Sequence, residues 1–227
     1  MHLKSALTSP ILYQLDLANG LTLMGLMLDF LCVILAINEI YYLAIICLIG
    51  VGLIDLFDGL VARKIKRNQL QASAGKQLDS LIDLCSFGFT PAIFAYCYGG
   101  QDPLSIVVLI LYISANALRL AYFNNAGLTA TGDQEYFTGL PVTYAALFIP
   151  LIFTFSLILP KDQTSLILII TYLLLALAMV INFKMPKLKG IWYGVFTLGA
   201  IALAGFHIMA FLLEIEIKGY LSANGCL

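Results

Sequence analysis

Seven apolar stretches, at approximately residues 20–38, 41–63, 75–98, 104–123, 141–159, 164–183 and 190–213, qualify or nearly qualify to cross a bilayer. Crossing about 30 Å of hydrocarbon takes roughly 20 helical residues. Inside lipid every backbone N–H and C=O must find a partner within the helix or within a closed barrel, and continuous apolar runs of this length select the helix. Composition agrees: 61% of the 227 residues are hydrophobic and 11% charged, with a mean hydropathy of +0.96. The expected fold is therefore all-α, a polytopic transmembrane bundle of about seven spans (six to eight) forming one domain over 1–227. Within it, 1–19 is an N-terminal cytoplasmic or interfacial segment, 20–150 carries the polar motif described below, and 151–227 adds further spans and a C-terminal tail.

Several function classes fall away at this level. A net charge of −1, with basic residues scattered along the chain, excludes a nucleic-acid stripe. Four of the five cysteines (Cys32, Cys47, Cys85, Cys97) lie inside apolar stretches and no CxxC occurs, so they read as packing residues rather than a disulfide framework or zinc site. The first apolar run has no small-residue cleavage site after it and reads as a retained span. Ahead of it, "SPILYQLDLANG" has Ser9 and Pro10 in helix-start order, which suits either a short interfacial helix or a simple tail. Tyr41, Tyr42 and Trp192 fall where interfacial aromatic belts are placed.

Loop charges set an orientation. With a cytoplasmic N-terminus, Lys4, Arg63, Lys64, Lys66, Arg67, Lys76, Arg119, Lys184, Lys187 and Lys189 fall on or near the cytoplasmic side, and only Lys161 and Lys218 outside. This bias places a 64–74 loop in the cytoplasm and the C-terminal tail outside.

Against this apolar background, five acids fall within spans: Asp29, Asp55, Asp58, Asp79 and Asp83. Each costs on the order of 3 kcal/mol at a helix centre, which makes each a functional candidate. Asp55 and Asp58 are three apart and Asp79 and Asp83 four apart, so each pair shares a helical face. Measured from Lys64 and from Gly75, the two pairs lie at similar depths of about 6 to 13 Å. Four carboxylates that close would repel strongly and neutralise by taking up protons unless cations sit among them, and hard oxygen donors without histidine or cysteine favour Mg2+, Mn2+ or Ca2+. Interfacial ion pairs with Arg63, Lys64 or Lys76 are the bland alternative. Gly59 and Gly75 flank the acids and permit close approach, whereas Gly50 and Gly52 are equally well read as helix packing.

"DLFDGLVAR" (55–63) followed by "GKQLDSLID" (75–83) resembles the motif of the CDP-alcohol phosphatidyltransferases, DxxDGxxAR then GxxxDxxxD, with Asp55, Asp58, Gly59, Ala62, Arg63, Gly75, Asp79 and Asp83 all in place. Eleven residues, "KIKRNQLQASA", separate Arg63 from Gly75 where the family usually has about eight, and an inserted turn tolerates such a change. "GKQLDSLIDLCSFGFTPA", "NALRLAYFN" and "GLPVTYAA" are similar to the phosphatidylserine synthase branch, and "ANGLTLMGL" is a partial match to the family's PNxLT helix entry.

The resemblance implies transfer of a phosphatidyl group from CDP-diacylglycerol to an alcohol, releasing CMP. Carried over by position, Asp55, Asp58, Asp79 and Asp83 bind divalent metal, Mg2+ or Mn2+ as two ions. Asp83 is also the general base, and Asp58, Gly59, Ala62, Arg63 and Gly75 receive the CDP moiety. Serine is the expected acceptor. Inositol or inositol phosphate, glycerol phosphate, choline and ethanolamine are the alternatives, and a phosphorylated acceptor would need spare cations, for which only Arg119 and Lys76 are evident. The resemblance further implies a homodimer, placed in a bacterial-type inner membrane with the site facing the cytoplasm. A cation transporter is the reading from another class, but its acids would sit mid-bilayer on broken helices.

Lesser candidates complete the reading. Asn116 and Arg119, one turn apart, are candidate contacts to the acceptor or to phosphate, with Lys76 a third; for Arg119 a snorkelling anchor is the alternative. Asp29, level with Asp55, either supports the site from behind or bonds a neighbouring helix. His207, alone on a late span, reads as a packing residue with one hydrogen bond.

Overall fold

Capping residues and prolines decide where the helices start and break. The computed structural model describes residues 11–131, 134–186 and 190–223. Ser9, Pro10, Lys4, Lys187 and Lys189, used in the N-terminal and orientation expectations, lie outside them. A single 3-10 turn, Leu12–Gln14, stands where an interfacial helix was one expectation. Asp16 then accepts from the Asn19 N–H and starts α1, Leu17–Ile37. After α2, Tyr41–Lys64, a capping box of Asn68 and Gln71 starts α3, Gln69–Leu84, satisfying orphan N–H groups at both positions.

That cap corrects one expectation. The loop expected over 64–74 shrinks to residues 65–68, because "QLQASA" has neither glycine nor proline to stop the helix that Asn68 begins. The residues read as an inserted turn are mostly helical.

A five-residue π-turn, Cys85–Phe89, joins α3 to α4, Thr90–Tyr98, making one 30-residue span from Gln69 to Tyr98. Pro91 has no N–H to return to the carbonyl one turn back, at Phe87. The Tyr112 hydroxyl donates to that carbonyl instead, and Tyr172 donates to the Pro91 carbonyl at 2.5 Å. Two buried phenols thereby tie the irregular turn to α5, Pro103–Ala126, and α7, Lys161–Val180.

The stretch expected to span at 141–159 does not form a full-length helix. It is a 3-10 turn at Val142–Tyr144, α6 at Ala145–Phe153, and a second 3-10 turn at Thr154–Leu157. Pro141 and Pro160 bracket it, and Pro150 lies within α6. With α8, Ile191–Ala223, six helices among the described residues are long and apolar enough to cross a membrane. Exposed Met27, Phe30, Leu104, Ile201 and Leu212 would be costly in water and are ordinary facing lipid. The protein is an integral membrane protein.

Sequence reading also missed a small antiparallel sheet of β1 (Thr129–Thr131), β2 (Gln134–Thr138) and β3 (Lys184–Pro186), in that order. Phe137 pairs with Met185 in its register, so the α5–α6 connection is stitched to the α7–α8 connection. Gly139, at φ 73°, continues the stitch by donating to the Phe183 carbonyl (2.8 Å). A Cβ there would meet the Met179 carbonyl at 2.8 Å.

The core contains fully buried Phe87, Phe94, Tyr112, Phe153 and Tyr172. His207 is buried beside Tyr42 and Phe153 and shares one hydrogen bond with the Pro150 carbonyl (3.1 Å). Gly50 and Gly52 act in packing: a Cβ on Gly50 would meet Leu28 at 2.8 Å, and one on Gly52 would meet the Ala146 methyl at 2.7 Å. Gly52→Ala should therefore overpack α2 against α6, costing about 1–3 kcal/mol. Thermal unfolding in detergent would show a lowered midpoint, and an unchanged midpoint would contradict this contact.

Candidate active site

The short connection at 65–68 turns the chain back from α2 into α3, and α1 packs against both. Asp58 and Asp55 lie about 9 and 13 Å from the end of α2, while Asp79 and Asp83 lie about 15 and 21 Å from the start of α3. Gly75 is thus inside α3 rather than at its mouth, and α3 projects past α2 on that side. The acids nevertheless meet: one carboxylate oxygen each from Asp55, Asp58 and Asp79 lie within 4.8 Å of one another. Asp83 completes the group through a side-chain hydrogen bond with Asp55. Two carboxyl groups make such a contact only by sharing a proton or a cation.

Helix α1 closes the cluster from the third side. Thr22 donates to Asp58 Oδ2 at 2.6 Å, and a small polar pocket is lined by Thr22, Gly25, Asp55, Asp58, Asp83 and Ser86. Asp55 also borders a larger apolar cavity of about 210 Å3 between α2, α6 and α8, whose walls include Leu53, Leu56, Tyr144, Ala146 and Phe196. A polar nest of acids therefore opens beside an apolar chamber.

A second polar knot holds the ends of these helices together. Arg67 pairs with Asp16 at 2.6 Å, donates to the Gln71 carbonyl at 3.0 Å and also donates to Asn19 Oδ1. Asn19 in turn donates to the carbonyls of Gln14 (2.8 Å) and Gln71 (3.2 Å). Gly75 lies directly beneath, and any side chain there would strike Arg67 and Asn19. Its bareness serves this internal contact. Gly59 faces open space, with nothing within 4 Å of a built Cβ.

The remaining candidates are distributed as follows. Arg63 is exposed and donates back to the Gly59 carbonyl at 2.9 Å. Ala62 is half-buried and Lys76 exposed. Asp29 is buried and accepts from Ser86, so it reaches the polar pocket through Ser86. Asn116 is fully buried against Gly88. Arg119 is buried, donates to the Leu140 carbonyl at 3.2 Å and lies beside the contacting rings of Phe123 and Phe137, which removes the snorkelling alternative. Thr22, Ser86, Asn19 and Arg67 were not singled out from sequence. "NGLT", the partial match to the helix entry, contained the signal for Asn19 and Thr22.

Four carboxyl groups on rigid helices, with no histidine or cysteine among them, form the donor set that a hard divalent cation takes. Residues 15–183 match the family model described as CDP-alcohol phosphatidyltransferase. This chain belongs to that family. In this phosphatidyltransferase-family chain, every residue of the clustered site lies inside the matched range.

Named relatives of this CDP-alcohol phosphatidyltransferase-family chain converge on one acceptor. It is 35% identical over 132 residues to the archaetidylserine synthase of Methanothermobacter thermautotrophicus, covering 58% of this chain and 54% of that protein. It is 30% identical over 138 residues to the CDP-diacylglycerol–serine O-phosphatidyltransferase of Helicobacter pylori, covering 59% and 57%. The Saccharomyces cerevisiae protein of the latter name is 39% identical over 93 residues, covering 39% and 33%. The chain thus spans between a third and somewhat over half of the length of these three relatives.

If the acids hold a cation, millimolar Mn2+ should raise the unfolding midpoint of the purified protein, since a ligand at about 100 times its Kd stabilises by about 2.7 kcal/mol. Asp58→Asn and Asp79→Asn should each abolish most of that shift. A shift that persists in both variants would place the cation elsewhere.

Proposed function

We propose that this protein transfers the phosphatidyl group of CDP-diacylglycerol to the hydroxyl of serine, releasing CMP and forming phosphatidylserine. The observation that carries the reading is the convergence of Asp55, Asp58, Asp79 and Asp83 in one cluster. The named relatives support serine over the other alcohols, and the apolar cavity bordering Asp55 suits a substrate whose acyl chains stay in hydrocarbon.

In this reading Asp55, Asp58 and Asp79, with help from Asp83, would hold the divalent cations, two ions of Mg2+ or Mn2+. The bound cations supply charge neutralisation for the diphosphate and for the departing CMP. The serine oxygen attacks the phosphorus that carries the diacylglycerol, and the bond from that phosphorus to the CMP phosphate breaks as the new P–O bond forms. Asp83 takes the hydroxyl proton, because serine is a weak nucleophile at neutral pH and the acid farthest along α3 is left to act as base. Thr22 fixes the Asp58 carboxylate. Arg63 and the open face of Gly59 receive the cytidine diphosphate, Ala62 lies on the same stretch of α2, and Gly75 contributes by letting the Arg67 knot close. The basic residues Arg63, Lys64, Lys66 and Arg67 around the α2–α3 connection support a cytoplasmic orientation for this face.

Purified protein in lipid–detergent micelles should release CMP from CDP-diacylglycerol in a serine- and divalent-metal-dependent manner. Asp83→Asn should lower kcat by about 100-fold or more with little change in the binding of the nucleotide lipid. Metal-independent turnover, or a large preference for a different alcohol, would contradict the proposal.

A further inference from the structure

Helix α8 meets the rest of the bundle unevenly. Tyr193, Phe196, Ala200, Leu203, His207 and Ala210 recur at intervals of three and four, so they share one helical face. The first four are half-buried and line the apolar cavity that Asp55 borders. His207 and Ala210 are 0% and 3% exposed. The same face is therefore packed tightly at His207 and stands away from α2 and α6 towards Tyr193, and the cavity occupies the gap.

One end of this cavity lies beside the acid cluster and the other is closed. Asp55, Phe137 and Tyr193 line the first end, and Ile49, Leu147 and Leu203 the second. About one turn further along each helix the walls meet. Ile45 of α2 and His207 of α8 are fully buried, and the His207 ring shares its hydrogen bond with the carbonyl of Pro150 on α6 (3.1 Å), beside Tyr42 and Phe153. In a regular helix the Thr154 N–H would take that carbonyl, but it bonds back to Leu151 instead and leaves the Pro150 oxygen to His207. From Asp55 to Ile49 along α2 is about 9 Å, and from Tyr193 to Leu203 along α8 about 15 Å. One leaflet contributes ~15 Å to a hydrocarbon core of about 30 Å, so the cavity is no deeper than a leaflet. At about 210 Å3 it is smaller than the roughly 300–1,000 Å3 that enclose a whole drug-sized ligand, and it admits one chain rather than two.

We propose that this cavity is a blind slot for one acyl chain of the lipid donor, and that its floor at Ile49, Leu147 and Leu203 sets the chain length the enzyme prefers. This rests on the proposed reaction and deepens it. The occupant follows from the two ends of the slot: its head must suit the acids that include Asp55, and the part that enters must be apolar along its whole length. The second chain stays in the bilayer. A chain that moves from lipid into the slot exchanges one hydrocarbon environment for another, so transfer from water contributes no discrimination. Shape supplies it instead. A chain that outreaches the floor must buckle against packed side chains, and one that stops short leaves the floor without contacts. Ala200 lies between Tyr193 and Leu203 on the lining face, where a larger side chain would raise the floor.

Competition among lipid donors tests the slot. The full-length protein in mixed micelles is given serine and equimolar dilauroyl, dimyristoyl, dipalmitoyl and distearoyl forms of CDP-diacylglycerol, and the products are resolved by mass. Wild-type kcat/KM should peak at one length and vary by about 5-fold or more across the series. Leu203→Ala, which lowers the floor, should move the peak to a longer chain, and Ala200→Leu to a shorter one, with the KM for serine unchanged in both. Opposite shifts of this kind are not produced by a general loss of stability. A profile that is the same in the wild type and both variants would mean that ordinary bilayer lipid fills the cavity, and would overturn the inference. If Ala200→Leu does not fold, the Leu203→Ala profile decides alone, an unshifted peak overturning the slot. Absence of serine-dependent CMP release from all of these lipids would refute the underlying reaction instead, before any variant is compared.

Discussion

Mutual repulsion among four carboxylates is the constraint around which the rest of the bundle is organised. At a separation of about 4 Å and an effective dielectric of about 20, two unit charges interact by about 4 kcal/mol, and here Asp55, Asp58 and Asp79 all approach within 4.8 Å while Asp83 bonds Asp55. Apolar helices have no reason of their own to bring such groups together, since lipid solvates their outer faces as well as a neighbouring helix does. Protons or cations must offset that repulsion, and the surrounding framework must hold the acids in place while they do.

That framework is visible in contacts some distance from the acids. The Asp16–Arg67–Asn19–Gln71 knot fixes the start of α1 against the α2–α3 connection, and a bare Gly75 allows it to close. At the far side of the site the π-turn Cys85–Phe89 aims Ser86 into the polar pocket, with Asp29 behind it. Tyr112 and Tyr172 hold that turn by donating to carbonyls at Phe87 and Pro91. Removing one phenol would leave a buried carbonyl without its donor, so the turn and the site it shapes depend on α5 and α7 as much as on the helices that carry the acids.

The apolar runs and the two Asp pairs were legible because their physical demands are severe: backbone satisfaction in lipid for the first, the expense of buried charge for the second. The helix start at Gln69 was missed because Asn68 and Gln71 form a cap that looks like ordinary polar loop sequence, and the depth of Gly75 was misjudged with it. The expected fifth span came out short, a helical stretch over Val142–Leu157 bracketed by Pro141 and Pro160, where hydropathy was read ahead of backbone chemistry. Strands as short as Lys184–Pro186 carry no periodicity to read. Thr22, Ser86 and Arg67 are single polar residues whose meaning depends on a partner helix, and spacing along one chain cannot show that.

The central claim is that the acids of α2 and α3 are ligands of a single metal centre. Anomalous scattering from a structure of the protein grown with Mn2+ measures this most directly. The account predicts one or two strong anomalous peaks within coordination distance of Asp55, Asp58 and Asp79, with Asp83 beside them. Peaks confined to other residues, or an acid cluster that stays empty at saturating Mn2+ while the protein turns over, would contradict it.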